Sequence, residues 1–153
     1  MTDRHALLVG SSGGHLAQLI ALKPWWSSGW RRTWVTFDTA DAVSLLREER
    51  VVWAHHPTTR NLGNLVRNLR LAFRVVAAER PDVVVSTGAG VALPFFLVAW
   101  LKGIPTAYIE VYDRIDTPTL TGRLCRPFAT RMCVQWEDQL AVYPGATLIG
   151  PLL

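Results

Sequence analysis

The sequence lacks an apolar run long enough to cross a membrane. Its longest, residues 91–101, contains Pro94, whereas a spanning helix needs about 20 apolar residues. The chain is therefore expected to lie on a bilayer at most. Cysteine is scarce as well. Cys125 and Cys133 are the only two, and their spacing fits neither a zinc pattern nor a disulfide framework, so both are expected to be buried, reduced thiols. Metal-ligand clusters are absent, and no metal site is expected. Acidic residues number 12 against 16 Lys and Arg, a formal net charge of +4. That balance suits a phosphorylated ligand, a membrane surface or nucleic acid, but no RNA- or DNA-binding motif accompanies it. Residues 1–5 lead straight into a strand-like run without a signal peptide, which points to a cytoplasmic location. Repeats, linkers and low-complexity stretches are missing too. A length of 153 residues suits one domain, residues 1–153, with a sizeable core.

What is present is alternation. Strand-like runs fall at residues 6–9, 33–37, 51–54, 83–86, 106–109, 132–134 and 147–149. Helical patterns fall at residues 16–22, 40–47, 62–79, 91–102, 120–129 and 138–143, with Pro127 interrupting the fifth. The run Val83-Val84-Val85-Ser86 is continuously apolar until its end, as in a strand covered on both faces. Strands and helices that alternate in this way make βαβ units and a Rossmann-like, doubly wound parallel sheet, an α/β fold.

In such a sheet ligands gather at the carboxyl ends of the strands. Gly10-Ser11-Ser12-Gly13-Gly14-His15 follows the first strand and precedes a helix, and Ser86-Thr87-Gly88-Ala89-Gly90 repeats that arrangement after the fourth. Glycine lets the backbone approach a ligand, and a helix start offers unpaired N–H groups and a positive dipole end to an anion. Two such loops together can hold a diphosphate, with Ser12, Gly13, Gly14, Thr87, Gly88 and Gly90 as its candidate ligands. His15 either ligates phosphate or removes a proton from an acceptor hydroxyl. Glu110 ends the fifth strand; it is a second candidate base, an orienting group for His15, or a structural partner of an arginine such as Arg114. Asp38 ends the second strand where a dinucleotide-binding acid would stand. The first loop is not G-x-G-x-x-G, so Asp38, or Thr39 beside it, is read as a helix cap.

The helix over residues 62–79 carries Arg67, Arg70 and Arg74 together with an apolar stripe, Leu62, Leu65, Val66, Leu69, Phe73 and Val76. This is either a core-facing helix with a solvated basic face or an interfacial helix drawn to anionic lipid. Trp25, Trp26 and Trp30, near Arg31 and Arg32, have the same double reading.

Several stretches resemble one family: residues 10–16 (GSSGGHL), 86–96 (STGAGVALPFF), 108–115 (YIEVYDRI), 118–122 (PTLTG) and 134–137 (VQWE). It includes the acceptor-binding subunit of the two-chain dolichol-pathway N-acetylglucosaminyltransferase and bacterial capsule and exopolysaccharide glycosyltransferase subunits. More distantly, the chain resembles the N-terminal half of the single-chain glycosyltransferase that makes lipid II. The resemblance implies half of a GT-B enzyme. This half would bind a polyprenyl-diphosphate-linked saccharide at the cytoplasmic face of the inner membrane, attached peripherally. A separate donor-binding subunit would bring a UDP-sugar, which is a co-substrate, and no cofactor is implied. The family's loop histidine corresponds to His15, and its glycines to Gly13, Gly14, Gly88 and Gly90. The tail residues Leu152 and Leu153 are then expected to contact the partner subunit. Two other readings stay open: a membrane anchor or activator of a complete enzyme, and an independent nucleotide-binding enzyme.

Overall fold

Every strand-like run of the sequence enters one sheet. The structure, a computed structural model, describes residues 4–26, 29–114 and 116–153. The strands are β1 (Arg4–Gly10), β2 (Trp30–Thr36), β3 (Arg50–Trp53), β4 (Val83–Gly88), β5 (Thr106–Ile109), β6 (Arg131–Val134) and β7 (Thr147–Leu148). They pair in parallel in the order β3-β2-β1-β4-β5-β6-β7. The helices are α1 (Gly14–Ala21), α2 (Ala40–Leu45), α3 (Leu62–Glu79), α4 (Ala92–Leu101) and α5 (Leu120–Cys125). Because all strands run the same way, their carboxyl ends share one edge. The order reverses between β1 and β4, and that reversal opens a crevice.

Alternation along β1 explains the two layers. Leu7 and Val9 join the core under α3 and α4, whereas Ala6 and Leu8 join the core under α1. All four are fully buried, so the strand reads as an unbroken apolar run. Truncating Leu7 or Leu8 to alanine would cost about 2–5 kcal/mol, the usual penalty for a core cavity.

The structure departs from expectation where side chains meet backbone. Pro127 ends α5 at Cys125, and residues Arg126–Phe128 continue as a 3-10 turn, since proline has no N–H to give the helix. A 3-10 turn at Glu137–Leu140 stands where a helix over residues 138–143 was expected. Asp38 caps nothing. The N-cap of α2 is Thr39, whose hydroxyl donates to Asp41 Oδ1 at 2.5 Å, while Asp38 Oδ1 accepts from His56 Nε2 at 2.8 Å.

The largest departure is the rotation of α3. Its buried residues are Asn64, Asn68, Leu71, Ala72, Val75 and Val76. Most of the apolar stripe points outward instead, with Leu62 78% and Phe73 41% exposed. Two asparagines cause this. Asn68 accepts from the His55 N–H at 2.8 Å and donates to the His55 carbonyl at 2.9 Å. Asn64 donates to the Pro57 carbonyl at 2.8 Å. The loop after β3 has backbone groups that must be satisfied, and satisfying them turns the asparagines in and the leucines out.

Candidate functional site

His15 begins α1 and leans across the crevice from β1 to β4. Its Nδ1–H donates to the Thr87 carbonyl at 2.9 Å, and the Thr87 hydroxyl donates back to the His15 carbonyl at 2.6 Å. A carbonyl only accepts, so the proton of the neutral ring sits on Nδ1 and the lone pair on Nε2. The ring needs room, and Gly88 provides it. Gly88 has φ +119°, and a Cβ there would lie 2.9 Å from the Tyr108 hydroxyl and 3.1 Å from His15 Cε1. His15, Thr87 and Gly88 thus form one contact cluster.

The remaining predicted diphosphate ligands are arranged differently from expectation. Thr87 is fully buried and its hydroxyl is already committed to His15. The Gly88 N–H donates to Ser86 Oγ at 2.9 Å, and the Gly13 N–H to Asp41 Oδ2 at 3.0 Å. Those groups are not free donors. The first amides of α1, on Gly14 and His15, are capped by no side chain. Ser12 is half-buried beside them. Gly90 lies on the other loop, packed so closely on Thr58 that a Cβ would stand 2.9 Å from the Thr58 Cβ.

Glu110 does not touch His15. It is fully buried, and four donors surround its carboxylate. These are the Val111 N–H (3.0 Å), the Thr119 N–H (3.1 Å), the Thr119 hydroxyl (3.0 Å) and the Tyr143 hydroxyl (2.5 Å). No arginine pairs with it among the described residues. Burial, then the Glu110 charge, pushes the phenol of Tyr108 well above its ordinary range. Tyr108 bonds to Thr119 Oγ1 at 3.3 Å, so the Glu110 cluster backs the Gly88 turn from below. Glu110 fastens the loop after β5 instead of orienting the imidazole.

Beside it lie two buried glutamines, Gln135 of the 134–137 stretch and Gln139, which the sequence reading did not mark. Gln135 Nε2 donates to the Glu110 carbonyl at 3.0 Å, and Gln135 Oε1 accepts from the Leu152 N–H at 3.0 Å. Gln139 Nε2 donates to the Val111 and Arg114 carbonyls, each at 2.9 Å. Leu152 is consequently half-buried against the core, whereas Leu153 is 67% exposed.

An apolar cavity of about 490 Å³ opens beside Gly90, walled by Leu62, Leu65, Leu93, Leu120 and Leu124. It continues the outward stripe of α3, and Arg67, Arg70 and Arg74 flank that stripe, all exposed. Arg67 also donates to Asn64 Oδ1 at 2.8 Å. Trp30 and Arg32 do not share this surface. They lie at the other edge of the sheet, with Trp30 packed on the α1 layer and Arg32 bonded to Glu49 at 3.2 Å. The Trp26 side chain lies outside the described residues. Among the described residues no helix is long and apolar enough to cross a membrane.

Comparison with known proteins shows the family and the fold. The family model described as "Oligosaccharide biosynthesis protein Alg14 like" matches residues 50–152. Over 92 residues the chain is 34% identical to the UDP-N-acetylglucosamine--N-acetylmuramyl-(pentapeptide) pyrophosphoryl-undecaprenol N-acetylglucosamine transferase of Geobacillus kaustophilus, covering 56% of this chain and 25% of that protein. Over 75 residues it is 32% identical to the UDP-N-acetylglucosamine transferase subunit alg14 of Schizosaccharomyces pombe, covering 46% of this chain and 36% of that one. Its fold superposes on MurG of Acinetobacter baumannii with a TM-score of 0.78 and 20% identity, over 96% of this chain and 45% of the MurG chain. The chain spans less than half the length of each of these relatives.

Proposed function

The chain belongs to the Alg14-like family of oligosaccharide biosynthesis proteins, and on that premise we propose that it is the acceptor-binding half of an inverting glycosyltransferase. Its acceptor is a polyprenyl-diphosphate-linked saccharide. A separate donor-binding subunit supplies UDP-N-acetylglucosamine or a related UDP-sugar, and the product enters polysaccharide biosynthesis. The observation that carries this reading is the free Nε2 of His15, fixed at the strand-order reversal by the Thr87 carbonyl.

The chemistry follows from that nitrogen. The acceptor hydroxyl gives its proton to His15 Nε2 as its oxygen attacks the anomeric carbon of the donor. The bond from that carbon to the UDP oxygen breaks, and UDP leaves with the electron pair. Attack opposite the leaving group inverts the configuration. A positioned general base of this kind is worth about 10²–10⁴-fold in rate. The acceptor diphosphate lies over the uncapped amides of Gly14 and His15 and the Gly90 turn, where the positive end of α1 favours it.

Membrane attachment is peripheral, at the cytoplasmic face, through the outward side of α3. Each leucine-sized side chain that leaves water there contributes about 1.5–3 kcal/mol. Each arginine near an anionic surface adds about 1 kcal/mol. The apolar cavity beside Gly90 receives the first part of the polyprenyl chain, so lipid tail and diphosphate enter from one side. Leu153 is the tail residue offered to the partner.

The test is transfer of labelled N-acetylglucosamine from its UDP ester to lipid-linked acceptor by the chain co-purified with its donor-binding subunit. The complex is expected to be active and each half alone inactive. Full activity of the donor-binding subunit by itself would make this chain an anchor only, and activity of this chain by itself would end the split-enzyme reading.

A further inference from the structure

The carboxyl ends of β2 and β3 carry a pair of side chains that the proposed reaction does not use. Asp38 follows β2 and His56 follows β3, and His56 Nε2 donates to Asp38 Oδ1 at 2.8 Å. The imidazole lies over the largely buried Phe37 ring, with centroids 5.0 Å apart and planes inclined by 31°. Yet both side chains remain open to water, 60% exposed for Asp38 and 42% for His56. An ion pair so exposed adds little to stability, and neither residue caps a helix or enters the core.

What the pair does offer is two polar groups held in fixed positions. With Nε2–H donated to Asp38, the ring leaves Nδ1 for a ligand, as an acceptor when neutral and as a donor when protonated. The second carboxylate oxygen of Asp38 stands beside it. The His56 hydrogen bond holds the Asp38 carboxyl below its ordinary range, so it is charged at neutral pH.

The position is as informative as the chemistry. Thr58, two residues beyond His56, packs on Gly90. Asp41, three residues beyond Asp38, accepts from the Gly13 N–H. The pair therefore borders both glycine loops on the β3 side, on the edge of the sheet that carries His15. A phosphate would be repelled by Asp38. A neutral group rich in donors would be held, and on a lipid-diphosphate-linked acceptor the group next to the diphosphate is a sugar. Resting on the acceptor reading above, we propose that Asp38 and His56 form a saccharide subsite that binds hydroxyl or acetamido N–H groups of the acceptor.

Binding to neutral vesicles separates this subsite from the diphosphate site. The vesicles carry undecaprenyl diphosphate that bears no sugar, one N-acetylglucosamine or one glucose. The 153-residue chain is expected to bind at least one sugar-bearing lipid about 10-fold more tightly than the bare lipid. Asp38→Ala and His56→Phe, the latter keeping a ring on Phe37, are expected each to abolish that gain and leave bare-lipid binding unchanged. Retention of the gain in both variants overturns the proposal. So does equal weakening of bare and sugar-bearing lipids, or the absence of any gain in the unsubstituted chain. Failure of the unsubstituted chain to bind even the bare lipid overturns the acceptor reading itself.

Discussion

Thr87 and His15 hold one another by two hydrogen bonds that run in opposite directions. The ring donates to the Thr87 carbonyl and the Thr87 hydroxyl donates to the His15 carbonyl, across the place where the strand order reverses. One residue thereby fixes both the tautomer of the imidazole and the backbone that carries it.

Thr87→Val keeps the shape and the accepting carbonyl but removes the hydroxyl. The His15 carbonyl keeps its helical partner and loses the Thr87 hydroxyl, a hydrogen bond worth about 0.5–1.5 kcal/mol. The expected result is a fall in kcat of about tenfold with little change in acceptor KM, and recovery in Thr87→Ser. Steady-state transfer kinetics decide it; a KM effect alone would place Thr87 on the substrate instead.

Glu110→Gln should unfold at lower denaturant. The carboxylate accepts from four donors, and an amide must turn an N–H₂ toward some of them. A loss of about 3 kcal/mol is expected, against about 1–2 kcal/mol for Tyr143→Phe, which removes one donor. Urea melts of both variants measure the difference.

Replacing Arg67, Arg70 and Arg74 together by glutamine should weaken binding to anionic vesicles roughly 100-fold at low salt, at about 1 kcal/mol for each charge. Phe73→Ser should weaken binding at every salt concentration, because apolar burial is not screened. Sedimentation with vesicles across a salt series separates the two contributions.

The thiol of Cys125 should stay silent toward a thiol reagent in the native protein at pH 8. Burial, then the Glu110 charge, pushes it from 9.0 up to about 12. An acid with a raised pKa holds its proton longer when folded than when unfolded. Its contribution to stability is therefore complete below about pH 9 and is lost as pH rises toward about 12. Reagent kinetics with and without urea, and melts between pH 8 and 11, check both statements.

The sheet was legible in the sequence because parallel strands covered on both faces carry apolar runs without alternation, as residues 6–9 of β1 and 83–85 of β4 do. The family was legible too, since the glycine loops and the motif around Glu110 are contiguous stretches. The surroundings of Glu110 were not. Apart from the Val111 N–H, its donors come from Thr119 and Tyr143, 9 and 33 residues away, and nothing local announces them. The same holds for Asp41, which reaches back 28 residues to occupy the Gly13 N–H. The orientation of α3 was hidden for another reason. Periodicity finds an apolar stripe, and the stripe exists, but the backbone of a neighbouring loop decided which way it faces.

That rotation separates two duties that a surface helix usually combines. Folding rests on Asn64, Asn68 and the small and branched residues beside them, while Leu62, Val66 and Phe73 are left to the surface. On the membrane reading proposed above, the outward residues of α3 can be exchanged to suit a thicker, thinner or differently charged bilayer without reopening the question of whether the domain folds. Changing Asn68 to leucine, which hydropathy alone would recommend, would strip the loop after β3 of its hydrogen bonds and loosen the ground on which His56 and Thr58 stand.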